Sequence, residues 1–255
     1  MRFALKIAYD GTVYAGWQRQ KNALSVQEAL ETAIQTALGV DLRVTASGRT
    51  DAGVHAAGQV CHFDSESITV PPEKMPDCLN RFLPADVRVL EGWGAEESFD
   101  SNRSAKRKTY CYTFYVAQRE MPLLDRYAVR LENAPALDIL QQKARLFEGE
   151  HDFKAFCASG SSVKTTVRTV YEVRIEESEA FGCRMIKMFV TGNGFLYNMV
   201  RTMAGELLEL AAKKRTEESL AKAYEMGERG LLGKTMPAKG LTLMQVVYNE
   251  NQSEN

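Results

Sequence analysis

Histidine is scarce in this 255-residue chain, with only three residues, at positions 55, 62 and 151, and their spacing matches no metal-ligand pattern. Neither a zinc centre nor a His-centred catalytic triad is therefore expected. The five cysteines (Cys61, Cys78, Cys111, Cys157, Cys183) include no CxxC pair. An odd count scattered over a long chain argues for reduced, mostly buried thiols. No apolar run approaches the roughly eighteen residues that a membrane span needs, and MRFALKIAYDG opens like a strand with no charged-then-apolar leader before it. The expected location is the cytoplasm, with no membrane partner. Gly/Ser-rich and Pro-rich linkers are also missing, which favours tightly associated parts over beads on a string. A net charge of -1 gives no global bias toward nucleic acid, so any such role has to come from local clustering.

What is present is enough apolar material, 45% of residues, for one large core or two compact domains. Basic clusters do occur. Arg103, Lys106, Arg107 and Lys108 fall close together and Lys213 to Arg215 form a second run, with Glu96, Glu97, Glu217 and Glu218 nearby. Such runs fit a solvated mixed-charge surface as well as a phosphate-binding one.

Hydrophobic periodicity organises the chain further. RFALKIAY (2–9) alternates as a strand, and Ser25 with Glu28 makes a capping box for a helix striped by Val26, Ala29, Leu30, Ala33, Ile34 and Leu38. Strand patterns follow at 42–47 and 58–64, then a short helix over 72–82 and the strand DVRVLEGW. From residue 108 the order repeats: KTYCYTFYVA, a helix over 136–148, VRTVYEVRIE, CRMIKMFV, a helix over 195–211 and LTLMQVVY, with an additional helix at 216–226. The order βαββαβ, twice, predicts an α+β fold of two ferredoxin-like halves with mainly antiparallel sheets, 1–104 and 105–255, joined into one broad sheet with a central cleft. Fold alone does not assign function.

The stretch GRTDAGVHAAG (48–58) falls between the second and third strands and is longer than a hairpin requires. If residues 49–51 run extended, Arg49 and Asp51 point to the same side and can face one ligand together. Flanking glycines would let the backbone come close to a bulky substrate. The alternative is a turn, with Asp51 capping and Gly53 supplying a positive φ; His55 reads as structural.

These residues resemble a known family. GRTDAGVHA is similar to the active-site motif of the tRNA pseudouridine synthase A family. In the same order, YDGTVYAGWQRQ (9–20), LNRFLPADVRV (79–89), AKRKTYCY (105–112), GNGFLYNMVRTMAGEL (192–207) and PAKGLTLMQVVY (237–248) resemble its other signatures. The resemblance spans nearly the whole chain. It implies isomerisation of uridine to pseudouridine in the anticodon stem-loop of tRNA, typically at positions 38 to 40, with neither cofactor nor metal. Asp51 would be the nucleophile, adding to the sugar, adding to the base or acting through a glycal, and ionised in each case. Arg201 would be its ion-pair partner, offsetting the cost of burying a carboxylate. Tyr110 would stack on the target base and assist later proton transfer. Arg49 would help displace the target nucleotide from its stack. The resemblance also implies a homodimer acting on tRNA, and the basic cluster at 103–108 puts Lys106 and Arg107 forward as the phosphate contacts.

One departure stands out. Where many members carry an arginine before the basic strand, this chain has Asn102, with Arg103 next to it. A paralogue modifying a different RNA uridine, a non-catalytic RNA-binding module and a nucleoside hydrolase are the competing readings. Intact Asp51, Tyr110 and Arg201 argue against a mere binder.

Overall fold

In the computed structural model, which describes residues 1–158 and 164–249, the alternating RFALKIAY segment forms strand β1 (Arg2–Tyr9) with Phe3, Leu5 and Ile7 fully buried. Helix α1 (Val26–Leu38) starts where Ser25 Oγ accepts the Glu28 N–H at 3.2 Å, and it buries Val26, Leu30, Ala33 and Ile34. Then come β2 (Thr45–Ala46), β3 (His55–Asp64), α2 (Met75–Leu79) behind a 3-10 turn at Pro72–Lys74, and β4 (Val87–Ala95). Two of these elements are shorter than periodicity suggests. Strand β2 begins late because the Val44 N–H is taken by the buried carboxylate of Glu31 at 3.1 Å, so it is not available to a neighbouring strand. Helix α2 ends early because the Asn80 side chain binds both the N–H and the C=O of Val89 on β4, each at 2.9 Å.

The second set comprises β5 (Arg107–Val116), α3 (Pro122–Asp125), β6 (Val129–Leu131), α4 (Leu137–Ala144), β7 (Gly149–Asp152), β8 (Val167–Ala180), β9 (Cys183–Gly192), α5 (Met199–Ala211) and α6 (Glu217–Met226). Helix α6 opens with a reciprocal box between Thr216 and Ser219. The last strand is β10 (Leu241–Val247).

By their contacts these elements fall into two units, Met1–Lys106 with Thr242 onward, and Arg107–Leu241. In the first unit the strand order is β4-β1-β3, with β2 on the far side of β3, and all of these pairs are antiparallel. That order interleaves two βαβ crossovers, as a ferredoxin-like arrangement requires. Strand β10 adds to β3 in parallel, Thr242 opposite His55 and Leu243 opposite Ala56. In the second unit β5, β9, β8 and β7 are successive antiparallel neighbours, and the short β6 runs parallel to β5. A mixed α+β fold with mostly antiparallel strands is thus observed. All five thiols are free, with Cys61, Cys111 and Cys183 buried. Among the described residues no helix is long and apolar enough to cross a membrane.

Candidate active site

The GRTDAG segment lies in the eight-residue connection 47–54 between β2 and β3. Its start is fixed by Gln59 of β3, whose side chain accepts from Ser47 Oγ at 2.5 Å and donates to the Gly48 carbonyl at 2.8 Å. Thr50 is buried, and its hydroxyl meets the Tyr9 hydroxyl at 2.8 Å. Arg49 on one side of it is exposed and Asp51 on the other is half-buried. The alternation out-in-out is the one an extended run gives, with Thr50 as the anchor. After Asp51 the chain does turn: the Val54 N–H donates to the Asp51 carbonyl at 3.1 Å, and Gly53 sits at φ 77°. The turn uses the main chain of Asp51, through its carbonyl, and not its side chain.

The YDGTVYAGW segment explains how the loop keeps its shape. Trp17 N–H donates to the Thr50 carbonyl at 3.1 Å and Gly53 N–H to the Tyr14 carbonyl at 3.3 Å. A Cβ on Gly11 would stand 2.0 Å from the Val54 oxygen, and one on Gly16, at φ 95°, 2.5 Å from the Thr50 oxygen. Only glycine allows the two segments to run this close. His55 is buried and accepts the Gly11 N–H on Nδ1 at 3.0 Å, with Asp10 Oδ1 3.2 Å from the same nitrogen. That is a structural duty, as read from sequence.

In the second unit Tyr110 lies on β5 opposite Val190 of β9, is 8% exposed, and meets the edge of Phe195 with ring centres 5.2 Å apart. Tyr112, two residues on, is fully buried and donates its hydroxyl to the Pro237 carbonyl at 2.6 Å. Burial holds that hydroxyl far above the usual phenol range, so it stays a neutral donor. Both tyrosines are thus buried, Tyr110 against Phe195 and Tyr112 with its hydroxyl held by the Pro237 carbonyl.

Arg201 sits in the first turn of α5. Its Nε donates to the Met236 carbonyl at 2.7 Å and Nη1 to Asn198 Oδ1 at 2.7 Å. Sequence periodicity starts this helix at 195, but the chain is helical only from Met199, because Asn198 takes a left-handed φ of 65°.

The basic runs divide on inspection. Lys106 and Arg107 are exposed, and the Arg107 guanidinium lies 5.0 Å from the centre of the Tyr171 ring. Lys108 is different: burial, and then the charge of Arg168, pull its ammonium down to about 8. Arg215 is committed internally, to Glu209 at 2.8 Å and the Leu231 carbonyl at 2.6 Å, which leaves Lys213 and Lys214 as the exposed members of that run. At the position of the departure, Asn102 and Arg103 are both exposed, and their N–H groups donate to Asp100 Oδ1 at 2.9 and 2.8 Å.

The functional geometry that sequence reading passed over is the anchoring set: Tyr9, Gly11, Gly16 and Gln59 around the loop, and Asn198 and Met236 around Arg201. The two glycines five apart in YDGTVYAG were the available signal for the first. The Met236 carbonyl has no side-chain signature at all.

The model of the tRNA pseudouridine synthase family matches residues 6–93 and 144–249. A relative named tRNA pseudouridine synthase A from Thermoanaerobacter sp. (strain X514) is 39% identical over 242 residues, covering 95% of this chain and 97% of its own. Relatives of the same name from Ruminiclostridium cellulolyticum and Syntrophotalea carbinolica are each 41% identical, over 97% and 96% of this chain and 99% and 95% of theirs. With its motifs in order and 95% or more of its length matched by these relatives, this chain belongs to the tRNA pseudouridine synthase family.

Proposed function

We propose that this protein isomerises uridine to pseudouridine in the anticodon stem-loop of tRNA, at positions 38 to 40, with Asp51 as nucleophile. The reaction breaks the C1'–N1 bond, turns the retained uracil, joins C5 to C1' and moves the C5 proton to solvent while N1 gains one. Such a sequence needs a group that can attack or stabilise the substrate and then leave, which an ionised carboxylate does. The observation that carries the assignment to Asp51 is the anchoring of its loop: Thr50 faces inward on Tyr9 while Arg49 and Asp51 flank it. In this reading Arg49 helps to extract the base, Tyr110 stacks on it, and Arg201 supplies the positive charge that favours an ionised Asp51. The protein acts in the cytoplasm as a homodimer. Incubation with unmodified tRNA, followed by mapping of pseudouridine at every position, tests the reading. Product confined to 38–40 is expected, and product elsewhere would point to the paralogue with altered target, for which Asn102 is the motivating residue.

Tyr110 is assigned two separable tasks, stacking by the ring and proton handling by the hydroxyl. Tyr110→Phe should keep tRNA affinity and lose about tenfold or more in turnover. Wild-type turnover in that variant would leave the hydroxyl with no catalytic part.

Lys106 and Arg107 are assigned to backbone phosphates. Affinity for tRNA should then fall with salt, each released contact contributing roughly 0.7 to 0.9 to the log-log slope. Replacing both with Ala should lower that slope by about 1.4 to 1.8 and weaken binding more than maximal rate. Unchanged affinity and slope would remove them from the RNA-binding surface.

A further inference from the structure

The residue that opens helix α5 does something helix-opening asparagines rarely do. An asparagine at this place ordinarily offers its side-chain oxygen to the backbone N–H groups of the first turn. Asn198 makes no such capping bond; its Oδ1 accepts from Arg201 Nη1 at 2.7 Å. It also holds a φ of 65°, a conformation glycine would adopt with less strain. Backbone ease has been given up in favour of an acceptor aimed at Arg201.

The second hold on Arg201 is the Met236 carbonyl, and the segment carrying it is tied to α5 along its length. Met236 N–H donates to the main-chain carbonyl of Arg201 at 3.1 Å, Thr235 and Thr202 hydroxyls meet at 3.0 Å, and Gly233 N–H donates to the fully buried Glu206 at 2.5 Å. A Cβ on Gly205 would lie 1.9 Å from the Lys234 oxygen, so the helix surface is cut away where the segment crosses it. The Pro237 carbonyl is pinned by Tyr112. The Nε is thereby held by a rigid main-chain segment, and Nη1 meets the Asn198 side chain.

We propose that Asn198 is a positioning residue for pseudouridine formation, fixing the plane of the Arg201 guanidinium against the 233–237 segment so that its charge is presented in one orientation. The kinetic consequence rests on the isomerase reading given above; the geometric one does not. A misplacement of the order of 1 Å in a reacting constellation can cost about a hundredfold in rate.

Asn198→Gly deletes the acceptor while relaxing the backbone, and Asn198→Asp keeps an oxygen at the same place in a residue that tolerates the left-handed region. Asn198→Gly should melt within a few degrees of wild type and bind tRNA with unchanged affinity, with kcat lower by about tenfold to a hundredfold. Asn198→Asp should recover most of that loss. Independently of turnover, the Arg201 Nε proton, assigned in nitrogen-15 NMR spectra by its absence from Arg201→Lys, should exchange slowly in wild type and about tenfold faster in Asn198→Gly. Wild-type kcat in Asn198→Gly, or an exchange rate equal to wild type, would overturn the inference. So would a loss of rate that Asn198→Asp shares in full and that follows melting temperature. Should wild-type protein form no pseudouridine, it is the isomerase reading that fails, and the exchange rate alone decides whether Asn198 holds Arg201.

Discussion

Asp51→Asn is expected to fold, bind tRNA with wild-type affinity and form no detectable pseudouridine, a loss of about four orders of magnitude or more. The reason lies in how the 47–54 loop is held. Its anchors are the Ser47–Gln59 and Gly48–Gln59 bonds, the Thr50–Tyr9 bond, and main-chain bonds to Tyr14 and Trp17, with the 51–54 turn closed through the carbonyl of Asp51. The amide leaves every one of these in place, nearly preserves shape and keeps one oxygen able to accept turn-type hydrogen bonds. It removes the one property the chemistry requires, a carboxylate able to act as a nucleophile. Melting should therefore shift by only a few degrees. Retained turnover in protein free of host synthase would assign Asp51 to the turn and to nothing else.

Gly16→Ala carries the second large effect, and it acts on the same loop from outside. At φ 95° an alanine is strained whatever surrounds it, and here its Cβ would also stand 2.5 Å from the Thr50 oxygen and 3.0 Å from the Asp51 carbonyl carbon. Those are backbone atoms that no rotamer change can clear. We expect a stability loss of about 2–4 kcal/mol, and a turnover loss of about a hundredfold in the fraction that remains folded, because the loop must shift relative to β3. Denaturant midpoints and single-turnover rates at a temperature where the variant is folded separate the two. A variant with wild-type rate would show that the close approach of residues 10–17 does not set the position of Asp51.

How far all this was legible in the sequence depended on what kind of signal each feature leaves. Long elements with strong periodicity, such as β1, α1, β5, β8 and β9, were readable because burial imposes the pattern directly. Three short elements, α3, β6 and β7, left no trace, since three or four residues are too few to show a period. Boundaries failed where a side chain intervened: Glu31 capturing the Val44 N–H trimmed β2, Asn80 binding Val89 ended α2, and Asn198 delayed α5. At the site, Arg49 and Asp51 stood out from their spacing in a long glycine-flanked loop and took roles from the resemblance, whereas Tyr110 and Arg201 were named only because their motifs resemble a family. The charge run at 213–215 misled in one respect, for Arg215 is bound within the fold, and composition cannot distinguish a solvated arginine from a committed one. The hydrogen-bonding supports were invisible, because Tyr9 and Gln59 at the loop and the Met236 carbonyl at Arg201 act through tertiary hydrogen bonds that no local pattern encodes.

The central claim is that this chain joins C5 of uracil to the sugar without releasing the base. Transcribed tRNA labelled with tritium at uridine C5 tests it most directly, because forming the new carbon–carbon bond expels the C5 hydrogen. Wild-type protein should release tritium to water in step with pseudouridine formation, leave the tRNA chain intact and liberate no free uracil, while Asp51→Asn releases none. Free uracil appearing with the tritium still attached would mark a hydrolase, and tight tRNA binding with no tritium release would mark a binder; either result would contradict the account.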